Sequence, residues 1–441
     1  MPTAALPSRV FVHWLPPIEW RVPLRSLAVI VLLWSCGTQE RVTPSVFSTQ
    51  PAWKAPEGTE RTLMPRRGRD LVREIAALRG WSDDLSITYE IAGISRIREA
   101  MVADMRDQVS PTVQRDQMRF LESFGWVPRD FNLEDAILDA FAPEIVGIYS
   151  LTWRRVLLAR NVHLAAAESV LIHELVHAFQ DKNFGLSQRS HWGPNRGDEI
   201  AAIHALSEGE AVCISRQLED PQHRGCLAPG DDSTEDSIFD IELPNVPPAI
   251  RYGLFAPYVD GIRFVKRLLR QGGWARVDEV WRRGVHSTGD LFTEAAGGQS
   301  DKDLPVLAPP SMDCRAEFVD ILGEQGLTGV LFGGDNADAM RKQVSSLVAD
   351  RAAYWRCGNS CVAHWHLRFR DGDAATRLTA TLRAALGISS PRGNDGPSCR
   401  ATPSGVRTLS HNLRDITITS VHNCDRGTLD IARQSCEFAS D

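Results

Sequence analysis

His173, Glu174 and His177, within the run LIHELVHAFQDKNF (171–184), are residue types that can do chemistry together. On a helix, positions i and i+4 lie one turn apart on the same face, so both imidazoles can reach a single ion. Zinc suits such a pair, because it accepts nitrogen and oxygen ligands in a tetrahedral shell. Glu174 directly follows the first histidine, and its carboxylate is turned from the ligand pair toward the open position of that ion. There it is placed to take a proton from a water acidified by the metal and to pass it to a departing amine.

A third ligand has to come from another element. The candidates are His204, Glu208 and Glu210, in DEIAAIHALSEGEAVCISRQ (198–217). Glu208 shares a helical stripe with Ala201, Ala205 and Val212, residues that would let this helix approach the first closely. Glu210 lies roughly 200° round the helix from Glu208 and should face elsewhere. Glu208 is therefore the expected ligand. His204, one turn earlier on nearly the same face, is expected to hydrogen-bond the ligands or to face the substrate; the reverse assignment is the alternative. For a group that stabilises a developing oxyanion, Tyr149, Tyr252, Tyr258, His191 and His204 are all candidates.

These side chains must be held by regular elements. Helical spacing of apolar residues predicts a helix from about His163 to Asp181, with Ala166, Val170, His173 and His177 on one stripe, and another from about Asp198 to Gln217. Before them, Ile145 to Ser150 and Arg155 to Arg160 read as two short strands joined at 151–154, a hairpin. Helical patterns recur in RDLVREIAALRGW, ISRIREAMVADMRDQV, QRDQMRFLESFGW and IRYGLFAPYVDGIRFVKRLLRQGGWARVDEVWRRG. Beyond residue 300, APPSMD suggests a boundary. VAHWHLRF and LRDITITSVH then read as strands and AATRLTATLRAAL as a helix, a small α+β unit. The acidic stretch PGDDSTEDSIFDIELP reads as a solvated loop.

The N-terminus carries a different signal. Arg21 and Arg25 precede an apolar run from Leu27 to Trp34 that closes on Ser35-Cys36, the layout of an export signal. The run is far shorter than the ~20 residues a membrane-spanning helix needs. It resembles a bacterial lipoprotein signal in which Cys36 becomes the lipidated residue, and Gly37 after it favours the outer membrane. Residues 1–35 are thus the expected signal peptide and 36–65 a flexible tether. Eight further cysteines suit an oxidising compartment and allow up to four disulfides; CGNSC (357–361) reads as structural rather than metal-binding. The composition, with 43% hydrophobic and 24% charged residues and a net charge of −7, is that of a globular protein and offers nucleic acid no basic footprint.

HELVHAFQDKNF followed by DEIAAIHALSEGEAV resembles a family of bacterial secreted or lipid-anchored zinc-peptidase-like proteins. FGWVPRDFNLEDAILDAFAPEIVGIYS before the motif, APYVDGIRFVKRLLRQGGWARVDEVW and Ser287-Thr288 after it, and more weakly ADRAAYWRCGNSCVAHWHLRF in the C-terminal unit, extend the likeness to about residues 70–385. The family looks like a gluzincin, of the thermolysin-like clan. The resemblance implies Zn2+ on His173, His177 and Glu208, Glu174 as general base, a peptide or protein substrate, and part of 145–160 pairing with extended substrate backbone. Two positions depart from the pattern. Val212 stands where the clan often has an acidic residue four positions after the ligand, and STGDLFTEA replaces a segment that usually closes on His-Pro.

The expectation is an α+β protein: a mostly helical, gluzincin-like metallopeptidase domain with a substrate-side hairpin (66–300) and a C-terminal α+β unit with disulfides (301–441). Its expected activity is zinc-dependent peptide-bond hydrolysis at the cell envelope. The rival readings are a zinc-binding protein without catalysis and an anchored scaffold or adhesion protein.

Overall fold

The computed structural model describes residues 60–142, 145–160, 164–220, 245–292, 304–333, 337–388, 398–402 and 405–424, with scattered positions between 222 and 243. The signal peptide, Cys36, most of the tether, Cys436 and the boundary near residue 300 lie outside the described residues. No helix among the described residues is long and apolar enough to cross a membrane.

The chain is α+β, with two sheets. Four helices precede the expected hairpin: α1 (Glu60–Arg79), which begins within the stretch read as tether, α2 (Ile94–Gln108), α3 (Pro111–Phe124) and α4 (Leu133–Phe141). Their ends follow local chemistry. Pro111 opens α3 behind a Ser110 cap, and Gly125 closes it at φ 77°. Asn132 accepts from the Glu134 and Asp135 amides to start α4.

The expected hairpin is present as β2 (Gly147–Ser150) and β3 (Arg155–Ala159). It belongs to a three-stranded sheet, because β1 (Thr88–Ala92) adds in parallel on the far side of β3. The burial pattern of β1 barely alternates, so its sequence carries little period-2 signal. This leaves β2 at a sheet edge. Asp104 on α2 fixes the hairpin turn, accepting from the Ser150 hydroxyl at 2.9 Å and the Thr152 amide at 2.8 Å.

The helix bearing the two histidines, α5 (Leu164–Phe184), runs three residues past its expected end; α6 (Leu186–Arg189) and α7 (Gly197–Glu219) follow. The start of α7 is capped from far along the chain: Asp320 Oδ1 accepts from the Gly197 amide at 2.8 Å, and the Asp198 amide donates to the Ile321 carbonyl at 2.9 Å. α8 (Pro248–Arg283) breaks at Gly272–Gly273 and crosses α7 at backbone contact. A Cβ on Gly209 would lie 2.2 Å from the Gly261 carbonyl, and one on Gly261 would lie 1.9 Å from the Ala205 carbonyl oxygen. Gly209 and Ala205 of α7 thus admit α8 at this crossing, so Ala205, expected to admit α5, faces α8 here.

The C-terminal unit holds β4 (Cys314–Asp320), α9 (Gly323–Leu331), α10 (Ala337–Val344), β5 (Leu347–Cys357), β6 (Ser360–Phe369), α11 (Gly372–Leu386), β7 (Ser398–Thr402), β8 (Gly405–Asn412) and β9 (Asp415–Asn423). The strands form one antiparallel sheet in the order β4-β5-β6-β9-β8-β7. The two strands and the helix expected here are β6, β9 and α11. Helices α3 and α11 pack on this sheet, and Phe120 and Trp126 meet Trp365 edge-on. APPSMD is exposed and irregular. Disulfides join Cys213 to Cys226, Cys314 to Cys357 and Cys361 to Cys424. Both cysteines of CGNSC are therefore structural, each bonded to a distant partner and not to the other.

Candidate metal centre

α5 and α7 bring His173, His177 and Glu208 together. One ligand atom from each lies within 4.8 Å of the others. His173 Nε2 is 3.1 Å and His177 Nε2 3.6 Å from Glu208 Oε2, and the two rings meet edge-on with centroids 4.7 Å apart. All three residues are buried, at 6%, 5% and 7% exposure, deep enough that an unneutralised charge would be costly.

The electrostatics follow from that burial. Burial pulls the His177 imidazole down, but the Glu208 charge 3.6 Å away, with Glu174 nearby, lifts it to about 9. Burial pushes the Glu208 carboxyl up, and His177 and His173 hold it down at about 2. Burial dominates at His173, whose pKa falls. The Glu208 carboxylate thus outweighs burial at His177 but not at His173.

Glu174 is fully buried. Its Oε2 accepts from the Tyr149 backbone amide of the edge strand β2 at 2.5 Å. Burial drives the Glu174 carboxyl up to about 8. Its Oε1 and His177 Nε2 are both shielded from solvent and have no hydrogen-bond partner. Two imidazole nitrogens, of which His177 Nε2 is unpartnered, and one carboxylate oxygen form a donor set that fits a tetrahedral divalent ion with one open position. The group could therefore hold a metal ion.

The remaining candidates take different places. His204 is not among the converging ligand atoms; its Nε2 lies 3.3 Å from Ser190 Oγ, and burial pushes its pKa down to about 4. It borders an apolar cavity of about 80 Å³ with Ala201, Gly253, Pro257 and Leu322. The Tyr149 hydroxyl donates to Asp181 at 3.2 Å, so this residue meets Glu174 through its main chain. Tyr252 stacks on Phe239 in the main core, Tyr258 is buried on α8, and His191 pairs with Asp107 at 3.2 Å.

Two partners of the ligands escaped the sequence reading. His177 Nδ1 lies 2.8 Å from Gln180 Oε1 and 3.0 Å from Ser207 Oγ. Gln180 stands at His177+3, on the same face one turn on, and that spacing was the available signal. Glu210 faces elsewhere, as expected, but it is fully buried against Arg79. Compared with known protein families, curated proteins and solved structures, the chain matches none.

Proposed function

We propose that the chain is a gluzincin-like zinc peptidase, exported and lipid-anchored through Cys36, in which His173, His177 and Glu208 hold the ion and Glu174 is the general base. The observation that carries this reading is the Glu174 carboxylate. It is buried beside three converging ligands, anchored through one oxygen, with the other oxygen unpartnered. A site serving the fold alone needs no such group.

Zinc bound there would supply Lewis-acid polarisation of a peptide carbonyl and would acidify water. Glu174 accepts the proton of the attacking water on Oε1 and returns it to the leaving amine, while the Tyr149 amide keeps the carboxylate oriented. β2, at the sheet edge and against Glu174, is the strand on which extended substrate backbone would add.

The test has two parts. Elemental analysis of the purified chain should give about one zinc, lost in His173→Ala and Glu208→Ala. Glu174→Gln should keep the zinc while hydrolysis of a peptide mixture, read by mass spectrometry, falls by at least about 100-fold. Undiminished hydrolysis by Glu174→Gln would refute the mechanism, and a folded wild type that takes up no zinc would refute the site. The deep burial of the three ligands favours a second reading, a zinc site that serves the fold. Full zinc content with no hydrolysis in wild type would select it.

A further inference from the structure

His177 has two ring nitrogens, and only the one without a proton can bind a metal. Its Nδ1 faces Gln180 Oε1 at 2.8 Å and Ser207 Oγ at 3.0 Å. Ser207 spends its own proton on Gln180 Oε1, at 2.6 Å, so both neighbours present acceptor lone pairs to Nδ1. Nδ1 must therefore keep its proton, so Nε2, which faces Glu208, is the nitrogen left to bind a metal.

That conclusion depends on which way round the Gln180 amide lies. Its Nε2 is held by two groups that only accept, the Ser207 carbonyl at 3.0 Å and Glu210 Oε2 at 2.9 Å. Glu210 is fixed in turn by donors: Trp281 Nε1 on Oε2 at 2.8 Å, and Arg79 Nε and Nη2 on Oε1 at 2.9 and 2.5 Å. The Arg79 and Glu210 side chains are both 0% exposed. The guanidinium lies 4.2 Å from the ring centroid of Trp81 and 4.6 Å from that of Trp274, and it also pairs with Asp278 at 2.7 Å. A flipped amide would set oxygen against oxygen at Glu210 and at the Ser207 carbonyl.

We propose that Arg79 and Glu210 are positioning residues of the metal centre: through Gln180 they fix the Nδ1–H tautomer of His177 and so offer Nε2 to the ion. The inference rests on reading His173, His177 and Glu208 as ligands. It also wires α1, the first helix of the described chain, into a ligand on α5.

The test uses the full chain in two measurements. With 15N-labelled histidine and no metal, NMR should show a persistent His177 Nδ1–H cross-peak in wild type that is lost in Gln180→Leu. Zinc affinity by chelator competition should weaken about 10- to 100-fold in Gln180→Leu and in Gln180→Glu. The latter places a second carboxylate against Glu210. Reversing the pair in Gln180→Glu/Glu210→Gln restores one donor and one acceptor between the positions, while still opposing the Ser207 carbonyl and Trp281 Nε1, and should recover part of the affinity lost in Gln180→Glu. The swap keeps volume, and metal-free melting of each variant separates a lost fold from a lost tautomer.

The proposal is overturned if wild type lacks the Nδ1–H peak, if folded Gln180→Leu binds zinc as tightly as wild type, or if the swap binds no better than Gln180→Glu. A wild type with the peak but no zinc affinity would defeat the metal reading and the positioning role with it, leaving the hydrogen-bond chain as structure.

Discussion

Replacing Gly209 by alanine sets two effects of opposite sign against each other at the residue after Glu208. Alanine in a helix interior is worth about 1 kcal/mol over glycine, so propensity alone says that α7 gains. The crossing with α8 says otherwise. The new Cβ would lie 2.2 Å from the Gly261 carbonyl carbon and oxygen and 2.8 Å from the Ile262 amide nitrogen, all backbone atoms with no rotamer to escape into. Reaching an ordinary contact of about 3.4 Å requires the helices to part by roughly 1.2 Å. Overpacking of this kind costs about 1–3 kcal/mol, and with backbone opposed to backbone the upper end applies. The net expectation is a loss of about 2 kcal/mol, a fall in melting temperature of at most about 8 °C in a chain of this size. Metal–ligand distances tolerate only about 0.2 Å, so a shift of that size beside Glu208 should weaken zinc binding by at least about tenfold. Gly253→Ala on α8, where a Cβ meets nothing within 4 Å, is the control and should stabilise by about 1 kcal/mol. The assays are urea unfolding of the metal-free chain and zinc competition. A Gly209→Ala chain at least as stable as wild type, with equal zinc affinity, would refute the claim that this crossing places the ligand.

Two further outcomes follow from buried carboxylates away from the metal. Burial lifts Asp198 and Asp320 to about 7, whereas an unfolded aspartate titrates near about 3.9. The folded chain therefore holds protons that the unfolded chain releases, and stability should fall as pH rises from about 4 through about 7. The difference between urea midpoints at pH 5 and pH 8 should shrink in Asp198→Asn/Asp320→Asn; an unchanged difference would acquit these two residues. Asp104→Ala removes the acceptor for Ser150 and Thr152 and should cost about 1–3 kcal/mol. Amide exchange at Thr152 should accelerate, and exchange as slow as in wild type would show that the turn is held by something else.

Much of the candidate site was legible in the sequence, because its parts are local. The i, i+4 spacing of His173 and His177 already places both imidazoles on one helical face. Glu208 stands out on the following helix by the same periodicity, and the hairpin shows itself as two short apolar runs either side of 151–154. Chemistry of this kind is written within one or two turns of chain, so composition and spacing suffice.

What only the tertiary structure decided are relations between residues far apart, which leave no period. Asp320 caps α7 across a sequence separation of 123, and Arg79 meets Glu210 across 131. Cysteine counting allowed several pairings, and only proximity selected Cys314 with Cys357 and Cys361 with Cys424. The addition of β1 beside β3 made the hairpin into a sheet, with β2 left at its edge. Gly209 reads as a helix defect until Gly261 is set against it. The sequence by itself determined which side chains have the chemistry of a metal centre. Packing determined how they are aimed, because the orientation of a buried ligand is set by whatever fills the space behind it, and for His177 that space is filled from α1, α7 and α8.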